Sequence, residues 1–229
     1  MDSGAQPLAR QIFEGLSPSY DRTLALVTLM QDKYWKSWLM IRAGLTRESR
    51  VLDIGCGTGV LEEKIDGGVQ IIGIDITEEM VRLAQGKRIR SLTSLNLADG
   101  EHLPFKDGSF DCVLSCYVVK YCNPSQLASE AARVLRPGGV LVLYDFSAPR
   151  GVLAPFHALY VYGLLKIIGR AMRPLDPKEA LTYQALPEVI RSRIWDARFG
   201  EVLESAGFRD IGSERLTGGV VTGFWAMKA

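Results

Sequence analysis

The pattern of apolar and polar positions changes character near residue 50. Before that point apolar residues crowd at helical spacing, over 24–30 and then at Trp35, Trp38, Leu39 and Ile41, which predicts helices that pack as a lid. After Arg50, short apolar runs alternate with polar, helix-like segments, a pattern typical of repeated β-α units around a parallel sheet. The apolar runs predict strands near 51–55, 69–75, 94–98, 110–116 and 139–146.

Signals between these runs indicate where helices begin. Thr77, followed by Glu78 and Glu79, suits an N-cap with an acidic first turn, and further helices are predicted to start near Thr58 and Pro124. A late helix at 197–206 precedes strands near 208–216 and 219–228. The predicted fold is therefore α/β: a Rossmann-like, doubly wound, mostly parallel seven-stranded sheet with an antiparallel C-terminal hairpin and a helical cap.

The chain length of 229 residues fits a single domain. The pattern divides that domain into four predicted parts. These are a helical N-terminal cap (1–50), a ligand-binding core (51–150), an apolar cap or substrate insertion (151–195), and a final helix with strands (196–229).

Charge and composition narrow the function. The 27 Lys and Arg nearly cancel the 26 Asp and Glu, which disfavours a nucleic-acid partner. Four cysteines without a CxxC pair, and only two histidines, predict reduced thiols and no metal site. The first residues lack a long apolar run behind a basic start, so a secretory signal is not expected and the predicted location is the cytoplasm.

Membrane contact is a separate question. The longest uncharged stretch, 151–165, is shorter than the ~20 apolar residues of a membrane-spanning helix. Lys166, Arg170 and Arg173 follow it and would suit anionic lipid heads. Peripheral contact with the inner face of the membrane therefore stays open.

A glycine-rich turn is the main candidate for ligand binding. The buried run Val51–Ile54 leads into Gly55, Gly57 and Gly59, where missing side chains let a ligand approach the backbone. The alternative is a tight turn that merely needs glycine. The GxGxG spacing, with Asp53 before it, suits a cationic ligand better than a pyrophosphate. S-adenosylmethionine (SAM), with a sulfonium, an ammonium and no phosphate, fits this description.

Two later carboxylates would complete such a site. Asp75 ends the second strand, twenty residues after Gly55, where it can accept both ribose hydroxyls; Ile76 is assigned to the same site. Asp99 and Gly100 end the third strand and suit the adenine amino group and ring. The alternatives are a cap for the helix at Thr77 and an Asx turn, respectively.

The sequence resembles the class I SAM-dependent methyltransferases. The resemblance lies in the glycine-rich turn, Asp75, Asp99-Gly100, Leu103-Pro104-Phe105 and the run 134–139. Over nearly the whole chain the sequence is similar to the ubiquinone/menaquinone biosynthesis C-methyltransferase family. The features shared with that family are Phe13 with Ser17-Pro18-Ser19-Tyr20-Asp21, Tyr34-Trp35-Lys36, Leu143-Tyr144-Asp145-Phe146-Ser147-Ala148-Pro149, Thr182-Tyr183, and Leu216-Thr217-Gly218-Gly219-Val220-Val221.

The resemblance implies a SAM-dependent methyltransferase acting on a ring carbon of a polyprenyl benzo- or naphthoquinol. It implies SAM contacts at Thr58, Asp75, Asp99-Gly100 and Ser115, with Tyr20 closing over the methionine end. Two departures fall near the expected substrate site. The run 116–122 replaces a Phe-Gly-Leu-Arg-Asn-like segment, and Asp145 stands where the family commonly has Glu.

Ring methylation requires a phenol that is deprotonated or strongly hydrogen-bonded. Lys120 is the candidate for stabilising the phenolate and Asp145 for accepting its proton; the alternatives are a surface amine and a strand-end cap. The apolar stretch 152–168 is expected to cap the same pocket as the N-terminal helices and to form a wall for an isoprenoid tail, the alternative being a buried helix. The candidate substrate contacts are Tyr117, Phe156, His157, Tyr160 and Tyr183.

Other functions stay open from the sequence alone. One is O- or N-methylation of another apolar small molecule or lipid headgroup on the same fold. Another is a non-catalytic SAM-binding scaffold. A homodimer is also left open.

Overall fold

Seven strands form one sheet in the order β3-β2-β1-β4-β5-β7-β6. The computed structural model describes residues 10, 13, 20–65, 68–87, 89, 92–174, 177, 180, 183 and 195–229. The strands are β1 (Arg50–Ile54), β2 (Gln70–Asp75), β3 (Leu92–Leu97), β4 (Phe110–Cys116), β5 (Leu135–Phe146), β6 (Phe208–Leu216) and β7 (Val221–Lys228). The first five are parallel, and β7 runs antiparallel to both β5 and β6. This confirms the predicted fold class.

The five strands predicted before residue 150 all occur, and β5 starts earlier than expected. Leu135 pairs with Phe110, the register then shifts, and regular pairing resumes between Val140 and Cys112. Gly138 has a φ of 76°. The Pro-Gly-Gly segment is therefore an irregularity inside the strand rather than a turn before it.

Helices cover both faces of the sheet. They are α1 (Tyr20–Val27), α2 (Asp32–Ala43), α3 (Glu78–Gln85), α4 (Pro124–Val134), α5, and α6 (Phe199–Ser205). We use α5 for one continuous helical stretch, built from Gly151–Leu153, Ala154–Ala158, a π-helical turn Leu159–Leu164, and Leu165–Met172.

Each face of the sheet has its own apolar cluster. On one face α4 and α6 pack with residues such as Leu127, Phe199 and Leu203. On the other face α2 contributes Trp35 and Leu39, and α5 contributes Val161 and Leu165. Because both faces are covered, the central strand β1 is buried over 51–54. This explains why three of those four residues are apolar, the exception being Asp53.

The predictions for helix starts have mixed outcomes. The helices near Thr77 and Pro124 are confirmed, and Asn123 caps α4 by accepting from the backbone N–H groups of Ser125 and Gln126. The helix predicted near Thr58 is wrong: turns there lead only to a 3₁₀ helix, Glu62–Lys64. Thr77 occupies the N-cap position but does not cap α3, because its hydroxyl donates to Asp75.

The N-terminal helices lie on the sheet, but not all of their apolar residues are buried. Trp35, Trp38 and Leu39 of α2 are buried, whereas Ile41 is exposed. Trp38 donates from Nε1 to Glu214 on β6 at 2.9 Å, which fixes α2 to the edge hairpin.

Helix α5 is longer than the uncharged stretch suggested. The 21-residue segment Gly151–Ala171 could cross a membrane by length and composition alone. Its most apolar 18-residue window has a mean hydropathy of 1.5, and 11 % of that window is buried. The uncharged stretch 151–165 is as short as expected, and the helix is longer because it continues through Lys166 and Arg170.

A buried ion pair joins the ends of β4 and β5. Lys120 Nζ lies 2.5 Å from Asp145 Oδ1, and the two side chains are 1 % and 0 % exposed. Asp145 also accepts from the backbone N–H groups of Lys120 and Phe146. Both alternatives weighed from the sequence for Lys120, a phenolate partner and a surface amine, require an accessible ammonium, and this ammonium is enclosed and already paired.

Lys120→Met is predicted to destabilise the fold. The change leaves the Asp145 carboxylate buried without its cation, which typically costs about 3–5 kcal/mol. Urea unfolding should show this loss, and the double variant Lys120→Met/Asp145→Asn should recover part of it because no buried charge remains. A single variant within about 0.5 kcal/mol of the parent, the range of ordinary surface changes, would contradict this.

Candidate functional site

A cavity that is partly open to solvent lies at the carboxyl ends of β1, β2 and β4. The chain winds outward in one direction from β1 through β2 to β3, and in the other through β4 to β5. The cavity therefore lies at the switch point of the sheet, where open α/β sheets bind ligands. Phe13, Tyr20 and Leu24 close it from the N-terminal side.

The glycine turn after β1 forms the floor of the cavity. Gly55 and Cys56 both donate backbone N–H groups to the carbonyl of Ile74, at 2.8 and 2.9 Å. Gly55 has a φ of 75°, and a Cβ there would collide with Val118. The turn thus needs glycine at position 55 for its own packing. Gly55, Gly57 and Thr58 of this turn also line the cavity.

Gly59 has a different position from the one predicted. It is not among the residues that line the cavity. Its φ is 80°, and a Cβ would collide with Ile89. Gly59 therefore serves the packing of the turn.

Asp53 places a buried carboxyl on the cavity wall. It is 2 % exposed, and its Oδ1 has no hydrogen-bond partner among the residues the structure describes. Burial raises the pKa of Asp53 well above its usual value, and the nearby Glu62 adds to that rise. Burial also raises the pKa of Glu62. A carboxyl in this setting gains most from a cation placed beside it.

Asp75 combines the two roles that the sequence left open. Its Oδ1 accepts from the backbone N–H and the hydroxyl of Thr77, at 2.9 and 2.7 Å, as a capping residue would. Its Oδ2 accepts from Gly57 N–H at 3.1 Å, and the residue lines the cavity together with Ile76. Burial raises the pKa of Asp75.

Asp99 and Gly100 also reach the cavity, through an Asx turn. Asp99 Oδ1 accepts from Glu101 N–H at 2.8 Å, and Oδ2 lies 3.2 Å from His102 Nδ1. Gly100 is required here because a Cβ would come within 2.7 Å of Ile54 Cγ2. The turn therefore presents Asp99 and Gly100 to the cavity.

Helix α1 is tied to the glycine turn. Thr58 donates its hydroxyl to Asp21 Oδ1, and Lys87 Nζ lies 2.8 Å from Asp21 Oδ2. Tyr20, next to Asp21, is half-buried, and its burial raises the pKa of the hydroxyl. Thr58 and Tyr20 both line the cavity, and the Thr58 hydroxyl is engaged by the protein itself.

Ser115 does not line the cavity. Its hydroxyl is buried and donates to the carbonyl of Ile54 on β1 at 2.9 Å. The residues after it, Cys116 and Tyr117, line the cavity instead. Side chains alternate between the two faces of the sheet along a strand, so Ser115 faces away from the cavity while its neighbour Cys116 faces it. Lys120 and Asp145 are likewise absent from the cavity wall.

A polar cluster beside the cavity was missed from the sequence. Lys36 Nζ lies 2.5 Å from Asp32 Oδ2, and Tyr117 donates its hydroxyl to Asp32 Oδ1 at 2.8 Å. Asp32 and Lys36 are buried one turn apart on α2, and Lys36 and Tyr117 line the cavity. The i,i+4 acid–base spacing within a predicted helix was the available signal.

Tyr117 has an unusual backbone conformation. Its φ is 64°, which non-glycine residues adopt at a cost that is common at functional sites. Its ring stacks on Phe146 at 4.8 Å, and burial raises the pKa of its hydroxyl well above its usual value. The hydroxyl is therefore held protonated at the cavity wall.

Charge and thiol chemistry limit what the cavity can bind. Among the described residues that line it are the acids Asp21, Asp53, Asp75 and Asp99 and one cation, Lys36. Cys56, Cys116 and Cys122 also line it. Burial raises the pKa of the first two well above the usual value, so they stay as thiols and are poor nucleophiles. Within the described ranges, no group of His, Cys, Asp and Glu could hold a metal ion.

The substrate contacts predicted on and beyond α5 lie outside this cavity. Phe156 is 68 % exposed, and Tyr183 is buried in the apolar cluster beneath α2 and α5. Tyr160 donates to the carbonyl of Val27 at 2.7 Å, and burial lowers the pKa of the half-buried His157. The N-terminal residues line the cavity as expected, but no described residue from 151 onward does. Thr182 lies outside the described residues.

The residues present fit SAM. The buried Asp53 carboxyl suits an ammonium, Lys36 a carboxylate, and Asp75 and Asp99 the ribose and adenine edges. Four acids and one cation at the wall disfavour a dinucleotide pyrophosphate. The arrangement agrees with the cofactor expected from the GxGxG turn.

Comparisons with known proteins agree with this fold. A solved SAM-dependent methyltransferase of Thermotoga maritima, titled a possible histamine N-methyltransferase, superposes with a TM-score of 0.60. The two are 20 % identical, and the match covers 96 % of this chain and 99 % of that one, which shows the fold.

Curated relatives are more similar in sequence. A demethylmenaquinone methyltransferase of Beutenbergia cavernae is 35 % identical over 214 residues, covering 92 % of this chain and 86 % of the relative. A ubiquinone/menaquinone biosynthesis C-methyltransferase of a Geobacter species (strain M21) is 32 % identical over 222 residues, covering 93 % of each. The model of the ubiE/COQ5 methyltransferase family matches residues 2–228. This chain is a SAM-dependent methyltransferase and belongs to the ubiE/COQ5 methyltransferase family.

Proposed function

We propose that the enzyme transfers a methyl group from SAM to a ring carbon of a polyprenyl quinol, with demethylmenaquinol as the favoured acceptor. The observation that carries the proposal is the cavity at the switch point, which combines an acid-lined wall with the Lys36–Asp32–Tyr117 cluster. The Beutenbergia relative, named for demethylmenaquinone, supports the naphthoquinol over the benzoquinol.

The chain's own residues would hold SAM along the cavity. Asp53, supported by Glu62, takes the methionine ammonium, and Lys36 takes the methionine carboxylate. Asp75 accepts the ribose hydroxyls, while Ile76, Asp99 and Gly100 contact the adenine. When bound, SAM supplies an electrophilic methyl group on a sulfonium, and the protein's contribution is alignment and exclusion of water. Tyr20 closes the methionine end.

The affinity for SAM is predicted to rise with pH. Burial raises the pKa of Asp53 well above its usual value, and Glu62 adds to the rise. Below that raised pKa the carboxyl is neutral and holds an ammonium poorly; above it the carboxylate pairs with the ammonium. Calorimetric titrations from the ordinary carboxyl pKa of about 4 towards neutrality should show binding that tightens as pH rises. A proton should be released on binding wherever the free Asp53 carboxyl is still protonated, and this release should fade as pH rises through its raised pKa.

Asp53→Asn tests whether this carboxyl causes the effect. Loss of a charged hydrogen bond should weaken SAM binding near neutral pH by about 10–100-fold and should flatten the pH dependence. Asp107→Asn is a suitable control, because that side chain is 80 % exposed and lies outside the cavity. A pH dependence in Asp53→Asn as steep as in the parent would assign it to another group.

Tyr117 and Asp32 provide a path for the quinol proton. Because Tyr117 donates to Asp32, its oxygen is left to accept a hydrogen bond from a quinol hydroxyl. As the quinol proton moves to Tyr117, the tyrosine proton moves to Asp32, so the tyrosine stays neutral, in keeping with its raised pKa. The phenolate charge reaches the attacking ring carbon. After methylation that carbon loses its own proton to water as the aromatic ring re-forms, and the proton held by Asp32 returns through Tyr117 to the ring oxygen, so the net reaction releases one proton.

Tyr117→Phe is predicted to lower kcat while leaving SAM affinity within about twofold of the parent. The ring and its stacking on Phe146 are kept, and only the hydroxyl relay is lost, for which about a 10²-fold loss in rate is expected. Tyr121→Phe is the matched control, since Tyr121 also lines the cavity but packs against Phe13. Near-parental kcat in Tyr117→Phe would remove the relay from the mechanism.

The decisive assay uses SAM with a deuterated methyl group and a short-tailed demethylmenaquinol kept reduced. Ring methylation gives a product that carries the label and can still be reoxidised to a quinone. O-methylation gives a labelled product that cannot be reoxidised, which would favour the alternative O- or N-methyltransferase function. SAM binding without methyl transfer to the naphthoquinol, a benzoquinol or a lipid extract would favour a binding scaffold.

A further inference from the structure

We propose that the outer face of α5, with the turn 28–31, is a docking surface for a bilayer that contains anionic lipids. This goes beyond methyl transfer, because it concerns a surface that shares no residue with the cavity. We call it the lipid-facing surface and define it by Leu29 and Met30 of the turn and the α5 residues Val152, Phe156, Leu159, Ile167 and Arg170.

The outer face of α5 is apolar and exposed. Val152, Phe156, Leu159 and Ile167 are 83, 68, 72 and 62 % exposed. With Arg170 they recur at intervals of three, four or eight residues, so they fall along one side of the helix. Large apolar residues exposed together in this way mark an interaction site more often than a chance surface.

The opposite face of α5 belongs to the protein core. Val161 and Leu165 are 3 % and 1 % exposed and pack in the cluster beneath α2. Gly169 continues the same buried side. A helix with one side in the core and the other apolar and exposed fits a position in the plane of the membrane interface, rather than across the bilayer.

Charge complementarity selects the partner. Between residues 146 and 174 there is no Asp or Glu, whereas Arg150, Lys166, Arg170 and Arg173 are present. Arg170 and Arg173 are exposed. Cations that border an apolar stripe match the anionic headgroups above an acyl layer, and each adds to binding. An apolar contact with another protein would not need this one-sided charge.

The turn 28–31 adds a second apolar element beside the helix. Tyr160 on α5 donates to Val27, the last residue of α1, so the turn and α5 are neighbours. Leu29 and Met30 have φ values of 50° and 64° and are 66 and 49 % exposed. Two successive non-glycine residues in a costly conformation thus hold apolar side chains in solvent, which a lipid surface would cover.

Flotation with vesicles tests this proposal with the full chain. The vesicles are phosphatidylcholine alone or mixed with phosphatidylglycerol, and they contain no quinol, so the result does not depend on methyl transfer. The parent should bind the mixed vesicles reversibly and lose most of that binding at high salt. Arg170→Gln/Arg173→Gln should lower the partition coefficient on mixed vesicles by about fivefold for each charge.

The double variant Phe156→Gln/Leu159→Gln should lower binding to both vesicle types by about tenfold or more. Because both side chains are exposed, thermal unfolding should match the parent. The matched control is Ile41→Gln/Leu97→Gln, which removes two exposed apolar residues elsewhere (79 and 57 % exposed) and should bind like the parent.

Three results would overturn the proposal. One is a parent that binds neither vesicle type. Another is a Phe156→Gln/Leu159→Gln variant that binds like the parent. The third is a parent that does not bind vesicles and that light scattering shows to be a dimer, while Phe156→Gln/Leu159→Gln is a monomer. The surface would then join two copies of the chain.

Discussion

The carbonyl oxygen of Ile74 accepts two successive N–H groups, those of Gly55 and Cys56, and the site depends on this contact. It turns the chain sharply at the end of β1 and holds that turn against the end of β2. Asp75 can then reach Gly57, and Asp53 is left facing the cavity rather than a helix. This pair of hydrogen bonds requires a glycine at the turn and a parallel strand beside β1. The same local structure therefore shapes both the sheet and the cavity.

The molecule uses its buried charges in two opposite ways. Lys120 and Asp145 neutralise each other and, with two backbone N–H groups, form a closed unit that joins β4 to β5. Asp53 is as deeply buried but keeps one oxygen without a hydrogen-bond partner among the described residues. The first arrangement suits stability and the second suits a cationic ligand. The Lys36–Asp32 pair is intermediate, since it is paired but borders the cavity.

Features encoded by local pattern could be predicted from the sequence. The apolar runs indicated seven strands, and the Gly55–Gly57 turn, Asp75 and Asp99 lie together at the cavity because each follows a parallel strand. What failed was the direction of single side chains. Ser115 and Tyr117 are two residues apart, yet only Tyr117 reaches the cavity, because β4 ends between them and the backbone at Tyr117 is left-handed. The pairing of Lys120 with Asp145, 25 residues away in sequence, was equally invisible to local pattern.

The hydrogen bond from Tyr160 to Val27 joins α5 to the end of α1. The other end of α1 carries Tyr20 and Asp21 over the cavity, and Asp21 is bonded to the glycine turn through Thr58. Helix α1, eight residues long, therefore connects α5 to residues that line the cavity. If α5 docks on a bilayer as proposed, its position and the closure of the cavity are coupled through this helix.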